Sequence, residues 1–118
     1  MNQEKYVNAY KVIRKYESEK MPLDISYGLF KVKKILQDQW DFEVAKEQEI
    51  FDRYNPVIDD NGNFRFESAE DQTNFAKEIS DLLSMEVDED FDKVKINFDN
   101  KIEMSLSDIE ALSDFVEF

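Results

Sequence analysis

The stretch DDNGNFRF at residues 59–66, followed by Glu70, carries the side chains most suggestive of chemistry in this chain. Asp59, Asn61 and Asn63 stand at alternate positions, and Glu70 stands where a bidentate carboxylate would close a calcium-binding loop between two helices. Such a loop needs glycine at its sixth position, where the chain turns sharply, and Phe64 stands there instead. Gly62 falls two places early. Asn61-Gly62 between apolar runs is the signature of a tight β-hairpin, because both central residues of a type I′ turn need positive φ. The expected hairpin sets Val57 opposite Phe66 and Asp59 opposite Phe64, and no metal or other cofactor is expected.

Little else in the composition supports catalysis. The chain has neither cysteine nor histidine, which removes disulfides, thiolate nucleophiles, zinc-type sites and the usual neutral-pH general base. Carboxylates remain, but 28 Asp and Glu among 118 residues bring pairs together by chance, so no pair is marked out for acid–base work. A protein that is not an enzyme is expected.

The charge is lopsided. Residues 1–58 hold ten basic and ten acidic side chains, whereas residues 59–118 hold five and eighteen, so the whole formal charge of −13 lies in the second half. A surface of that sign repels a phosphate backbone, which makes direct nucleic-acid binding improbable and a protein partner the better expectation. Asp88, Glu89, Asp90 and Asp92 could stand in for phosphates on a basic host protein, or could serve only solubility. Lys31, Lys33 and Lys34, with Lys11, Arg14 and Lys15, could answer the acidic half within the fold or across an oligomer.

The elements that must position these groups follow from periodicity. With 42% hydrophobic and 14% aromatic residues the chain should fold, as one domain over 1–118, and two glycines and two prolines favour long regular elements. Tyr6, Ala9, Tyr10, Ile13 and Tyr16 recur at helical spacing over residues 2–20, an aromatic stripe of the kind that lines a core, until Met21-Pro22 stops the run. A second helix is expected from Asp24 or Ser26 to Asn55-Pro56, with Leu29, Val32, Leu36, Trp40, Val44, Phe51 and Tyr54 as its seam. At roughly 40 Å it would outreach so small a domain, so part must project or pack on a partner. Phe30, Ile35, Phe42 and Ile50 lie off that seam, which suggests contacts on more than one side.

A third helix should follow the Ser68–Asp71 capping box, and EVDEDFD at 86–92 is too acidic to pack and predicts a loop. Val94, Ile96 and Phe98 alternate with polar residues, as do Ile102, Met104 and Leu106. A turn at Asp99-Asn100-Lys101 would therefore pair Phe98 with Ile102, Ile96 with Met104 and Val94 with Leu106. A capping box at Ser107 and Glu110 should open a short closing helix through Ile109, Leu112, Phe115 and Val116. The fold class expected is thus α+β and mainly helical, a long helix hairpin-like core with two small β-hairpins and a short C-terminal helix.

No apolar run approaches the roughly 20 residues of a membrane span. The first residues, MNQEKYVNAY, lack the features of a signal peptide, so a cytoplasmic location is expected. The segments KMPLDISYGLFKVKKIL at 20–36, EIFDRYNPVIDDNGNF at 49–64, FAKEISDLLSMEVD at 75–88 and SLSDIEALSDFVEF at 105–118 follow an order of features that resembles small proteins of unknown function encoded in phages and prophages of Gram-positive bacteria. The resemblance implies a mobile-element context, with the host cytoplasm as its setting, and brings no catalytic residue. The expected function is a non-enzymatic protein–protein interaction or self-association, through an aromatic seam on helix two formed by Trp40, Phe42, Val44 and Phe51. The alternative is an acidic inhibitor that occupies the nucleic-acid groove of a host or defence enzyme through Asp88, Glu89, Asp90 and Asp92.

Overall fold

A computed structural model describes residues 1–99 and 102–118. Helix α1 (Gln3–Tyr16) leads by a short link to the long α2 (Leu23–Tyr54), followed by β1 (Val57–Ile58), β2 (Phe64–Arg65), α3 (Ala69–Ser84), β3 (Val94–Lys95), α4 (Leu106–Leu112) and β4 (Val116–Glu117). Helices account for 59% of the chain, so the α+β, mainly helical expectation holds, with two small strand pairs and a short C-terminal helix.

Each helix starts or stops where its local chemistry directs. The Asn2 side chain accepts from the Lys5 amide at 3.2 Å and caps α1, whose last turn carries Arg14 and Lys15 against the helix dipole. Helix α2 opens right after Pro22, earlier than the Asp24 or Ser26 start expected, with no side-chain cap on its first turn. It ends at Asn55, which takes the left-handed conformation (φ 43°) and returns its amide to the Phe51 carbonyl. Ser68 caps α3 through the Asp71 amide, as its sequence indicates.

The core lies between α1 and the N-terminal half of α2, which fold back along one another. The aromatic stripe of α1 is buried there in full, against Ile25, Leu29, Val32 and Leu36 of α2 and Leu112, Phe115 and Val116 from the C-terminal segment. Beyond this core, α2 continues as an arm flanked by the β1–β2 hairpin and α3. The molecule measures 52 × 35 × 21 Å, and its radius of gyration of 17.2 Å exceeds the about 13.5 Å of a compact domain this long.

Four local expectations are corrected. The first hairpin pairs Val57 with Arg65 and Ile58 with Phe64, one residue away from the expected register. Asp59 explains the difference. Its carboxylate accepts from the amides of Asn61 and Asn63, both at 2.9 Å, while its own backbone closes on Gly62 and Asn63. Only Gly62 needs positive φ (81°), so the loop is a three-residue connection and not a type I′ turn.

The second pair, unlike the first, is not a hairpin. β3 pairs with β4 in parallel, Val94 beside Val116 and Lys95 beside Glu117, with α4 in the crossover. The expected partner of Val94, Leu106, is 77% exposed, whereas Phe115 and Val116 are buried, so pairing with 116–117 removes far more apolar surface from water. Of the expected turn, Asn100 and Lys101 lie outside the described residues. Helix α4 is capped by Ser105 on the Asp108 amide and not by Ser107, and it ends at Leu112, which frees Phe115 and Val116 to enter the core.

The acidic segment 86–92 also packs, contrary to expectation. Val87 is buried, the Val87 amide reaches the Met1 carbonyl at 2.8 Å, and Phe91 stacks on Phe115 with centroids 5.3 Å apart. Its apolar residues turn inward while its acids stay in solvent.

Candidate functional site

The four aromatic and aliphatic residues expected to form one contact seam on α2 do not share a surface. Trp40 lies flat on Tyr10, with centroids 4.4 Å apart and planes 14° apart, and belongs to the core margin. Phe51 meets the ring of Phe64 edge-on at 5.3 Å under the hairpin. Phe42 and Val44 are exposed, two residues apart and so on opposite flanks of α2. The buried stripe runs through Leu36, Glu43 and Ile50 instead, so Val44 leaves the seam and Ile50 joins it. A spacing of seven residues holds that stripe on one face of a straight helix, and Val44 is turned about 100° away from Glu43.

The arm presents two open apolar grooves. One lies between α2 and α3, lined by Phe42, Ile50, Leu82 and Met85, with Lys46 and Arg53 facing Glu78 and Asp81 across it; Arg53 bonds to Glu78. The other runs along α3 past Phe75, Ile79 and Leu83 to Glu4 of α1. At the tip of the arm Val57, Ile58 and Phe64 are exposed, while Phe66 packs on Phe75 with centroids 5.0 Å apart. Of the sixteen residues of α3, Leu82 alone is buried.

Asp88, Glu89, Asp90 and Asp92 are all exposed, strung along non-helical chain, and Glu89 accepts from the Gln39 side chain at 2.7 Å. Among the described residues no group of three or more acidic side chains is gathered as a metal would require. The Asp59 carboxylate turns to its own loop amides.

Two buried acids were missed by sequence reasoning. Asp108 is 5% exposed and receives Lys15 at 2.8 and 3.0 Å and the Tyr16 hydroxyl at 2.7 Å. Burial works against its charge, but the Lys15, Tyr16 and Ser105 bonds win and hold its carboxyl below the usual range. The same arrangement pushes the Tyr16 phenol up to about 12, through burial first and the bond to Asp108 second. The pair ties α1 to α4. Its signal was the Ser105-Leu106-Ser107-Asp108 spacing, a capping box displaced by two residues from the one chosen.

Glu43 is 1% exposed, on the stripe between Leu36 and Ile50, and neither of its oxygens has a hydrogen-bond partner among the described residues. The Gln3 amide lies near enough to favour the anion but donates to the Gln39 carbonyl at 2.8 Å. Burial, with Glu47 one turn away, pushes the Glu43 carboxyl up to about 7 against weaker help from Gln3 and Lys11. Its signal was positional: Glu43 stands seven residues from both Leu36 and Ile50. At this depth it is out of reach of a substrate, so its proton affinity bears on stability.

No helix among the described residues is long and apolar enough to cross a membrane. No protein-family model, curated protein or solved structure matches the chain.

Proposed function

We propose that this protein acts by binding another protein, without catalysis, through the arm formed by the C-terminal half of α2, the β1–β2 hairpin and α3. The observation that carries this reading is the thin cover on α3. A helix of this length draws most of its stability from tertiary packing, yet Leu82 is its only buried residue while Phe75, Ile79 and Leu83 line an open groove. Val57, Ile58 and Phe64 add exposed apolar side chains at the tip, and Phe42 lines the second groove, between α2 and α3. A partner that covers this surface removes apolar area from water, so its complex tolerates salt. The setting, on the resemblance of the order of features, is a phage or prophage protein in a host cytoplasm.

The second reading is an acidic inhibitor of a nucleic-acid enzyme, favoured by the exposure of Asp88, Glu89, Asp90 and Asp92 along one continuous stretch. Capture from host lysate at rising salt, with Phe42→Ala and Phe64→Ser variants beside a quadruple neutralisation of those acids, separates the two. Salt-tolerant capture lost in the apolar variants supports the arm. Salt-labile capture of a nucleic-acid enzyme, lost only on neutralisation, overturns it in favour of the inhibitor.

A further inference from the structure

At the end of the molecule opposite the hairpin, the first turns of α2 carry a surface of different chemistry. Tyr27 and Phe30 are 56% and 50% exposed and stack on one another with centroids 6.1 Å and planes 21° apart. The Lys31 ammonium lies 4.7 Å from the Tyr27 centroid and the Lys34 ammonium 5.1 Å from that of Phe30. Neither lysine makes an ion pair among the described residues, although the chain holds 28 acidic side chains against 15 basic ones. In a protein with this excess of acid, two cations resting on rings instead of carboxylates are a local reversal of sign.

Phe30 is also one wall of a recess of about 200 Å³ between α1 and α2, floored by Ile13, Met21 and Leu29. Its rim is mixed. Lys33 is bonded to Glu17 and so largely neutralised, which leaves Glu19 as the acid on the α1 side. The recess is below the roughly 300–1,000 Å³ of small-molecule sites and suits a single apolar side chain.

We propose that this recess and the adjoining Tyr27–Phe30–Lys31–Lys34 stripe dock an acidic peptide segment of a partner protein, one apolar side chain entering the recess and carboxylates lying over Lys31 and Lys34. Charge decides the occupant. Two lysines on a chain of net charge −13 are too few to hold a phosphate backbone, where affinity grows with the number of neutralised phosphates. Glu19 sets the direction of the segment, because it repels a carboxylate on the α1 side and leaves the α2 side to the acids. The rings restrain the lysines before binding, which lowers the cost of ordering them. This surface is independent of the arm, and a protein that carries both would bridge two partners.

The test is selection from a displayed random dodecapeptide library on the full chain, followed by fluorescence-anisotropy titration of the enriched peptides. Expected are peptides with acids beside a large apolar residue, bound at least about tenfold more weakly by Lys31→Glu/Lys34→Glu and by Phe30→Ala, and weakened by salt. The lysine substitutions are at exposed positions, so circular dichroism should be unchanged. The arm variant Phe64→Ser should bind the peptides like the parent, which keeps failure of this site distinct from failure of the arm. Enrichment of basic or neutral peptides, equal binding by the Lys31→Glu/Lys34→Glu protein, or no enrichment at all overturns the proposal. A dimer in sedimentation velocity that Lys31→Glu/Lys34→Glu dissociates, with no peptide selected, overturns it in favour of a second copy as occupant.

Discussion

Replacing Glu43 by Gln should change how stability depends on pH, and the sign follows from burial. The folded carboxyl holds its proton up to about pH 7, against an ordinary value of 4.5. Between those values the folded state keeps a proton that the unfolded chain has lost, so each rise in pH favours unfolding. Stability from this group is therefore complete below about pH 4.5, declines through the window and is level above about pH 7. At about 1.4 kcal/mol per pH unit the decline amounts to about 3 kcal/mol. Glutamine has nearly the shape of the protonated acid and no charge to desolvate, so the variant should match the parent near pH 4.5 and exceed it by about 3 kcal/mol near pH 8. The other carboxylates also repel one another as pH rises, which makes the difference between the two proteins the quantity to read. Urea unfolding followed by the fluorescence of Trp40, the single tryptophan, gives that difference at each pH. A constant offset between the two curves from pH 4.5 to 8 would refute the reasoning, since it would mean that Glu43 ionises alike in both states.

Asp108→Asn should destabilise by about 2 kcal/mol, because Lys15 and Tyr16 lose a charged acceptor in a buried setting. The folded carboxyl lies below its ordinary 3.8, so its stabilisation is present above that pH and lost as pH falls through the folded value, and the variant's acid limb in thermal melts should be flatter. Gly28→Ala would place a Cβ 2.6 Å from Ile96 Cγ1; overpacking of about 1–3 kcal/mol outweighs the roughly 1 kcal/mol gain in helix propensity, giving a lower urea midpoint. Gly62→Val meets nothing within 4 Å but forces a branched residue to φ 81°, which should lower the thermal midpoint by backbone strain of about 1–2 kcal/mol. Calcium at millimolar concentration should leave the parent's midpoint unchanged, and a rise with calcium but not magnesium would show that Asp59 and Glu70 gather an ion after all.

What could be seen in the sequence was whatever short-range chemistry decides. Helical spacing and terminal signals located α1, α2 and α3, and the tyrosine stripe of α1 turned out buried as its spacing implied. The length of α2 also implied an arm, since a helix of 32 residues cannot be covered by so small a core. The lopsided charge was legible too, because it requires only counting. Decisions between distant segments were not. Val94 could pair with any apolar strand of suitable pattern, and only the assembled α1–α2 core made Phe115 and Val116 the better partners. Likewise Glu43 looked like one acid among 28, and it became distinctive when tertiary packing buried its face of α2 and took away its water. The stacked rings of Tyr27 and Phe30 with Lys31 and Lys34 lie on one helix, so their spacing was visible; that they stay uncovered was not. Burial belongs to the surface that packing leaves over, and it is settled last, when elements far apart in the chain compete for the same apolar face.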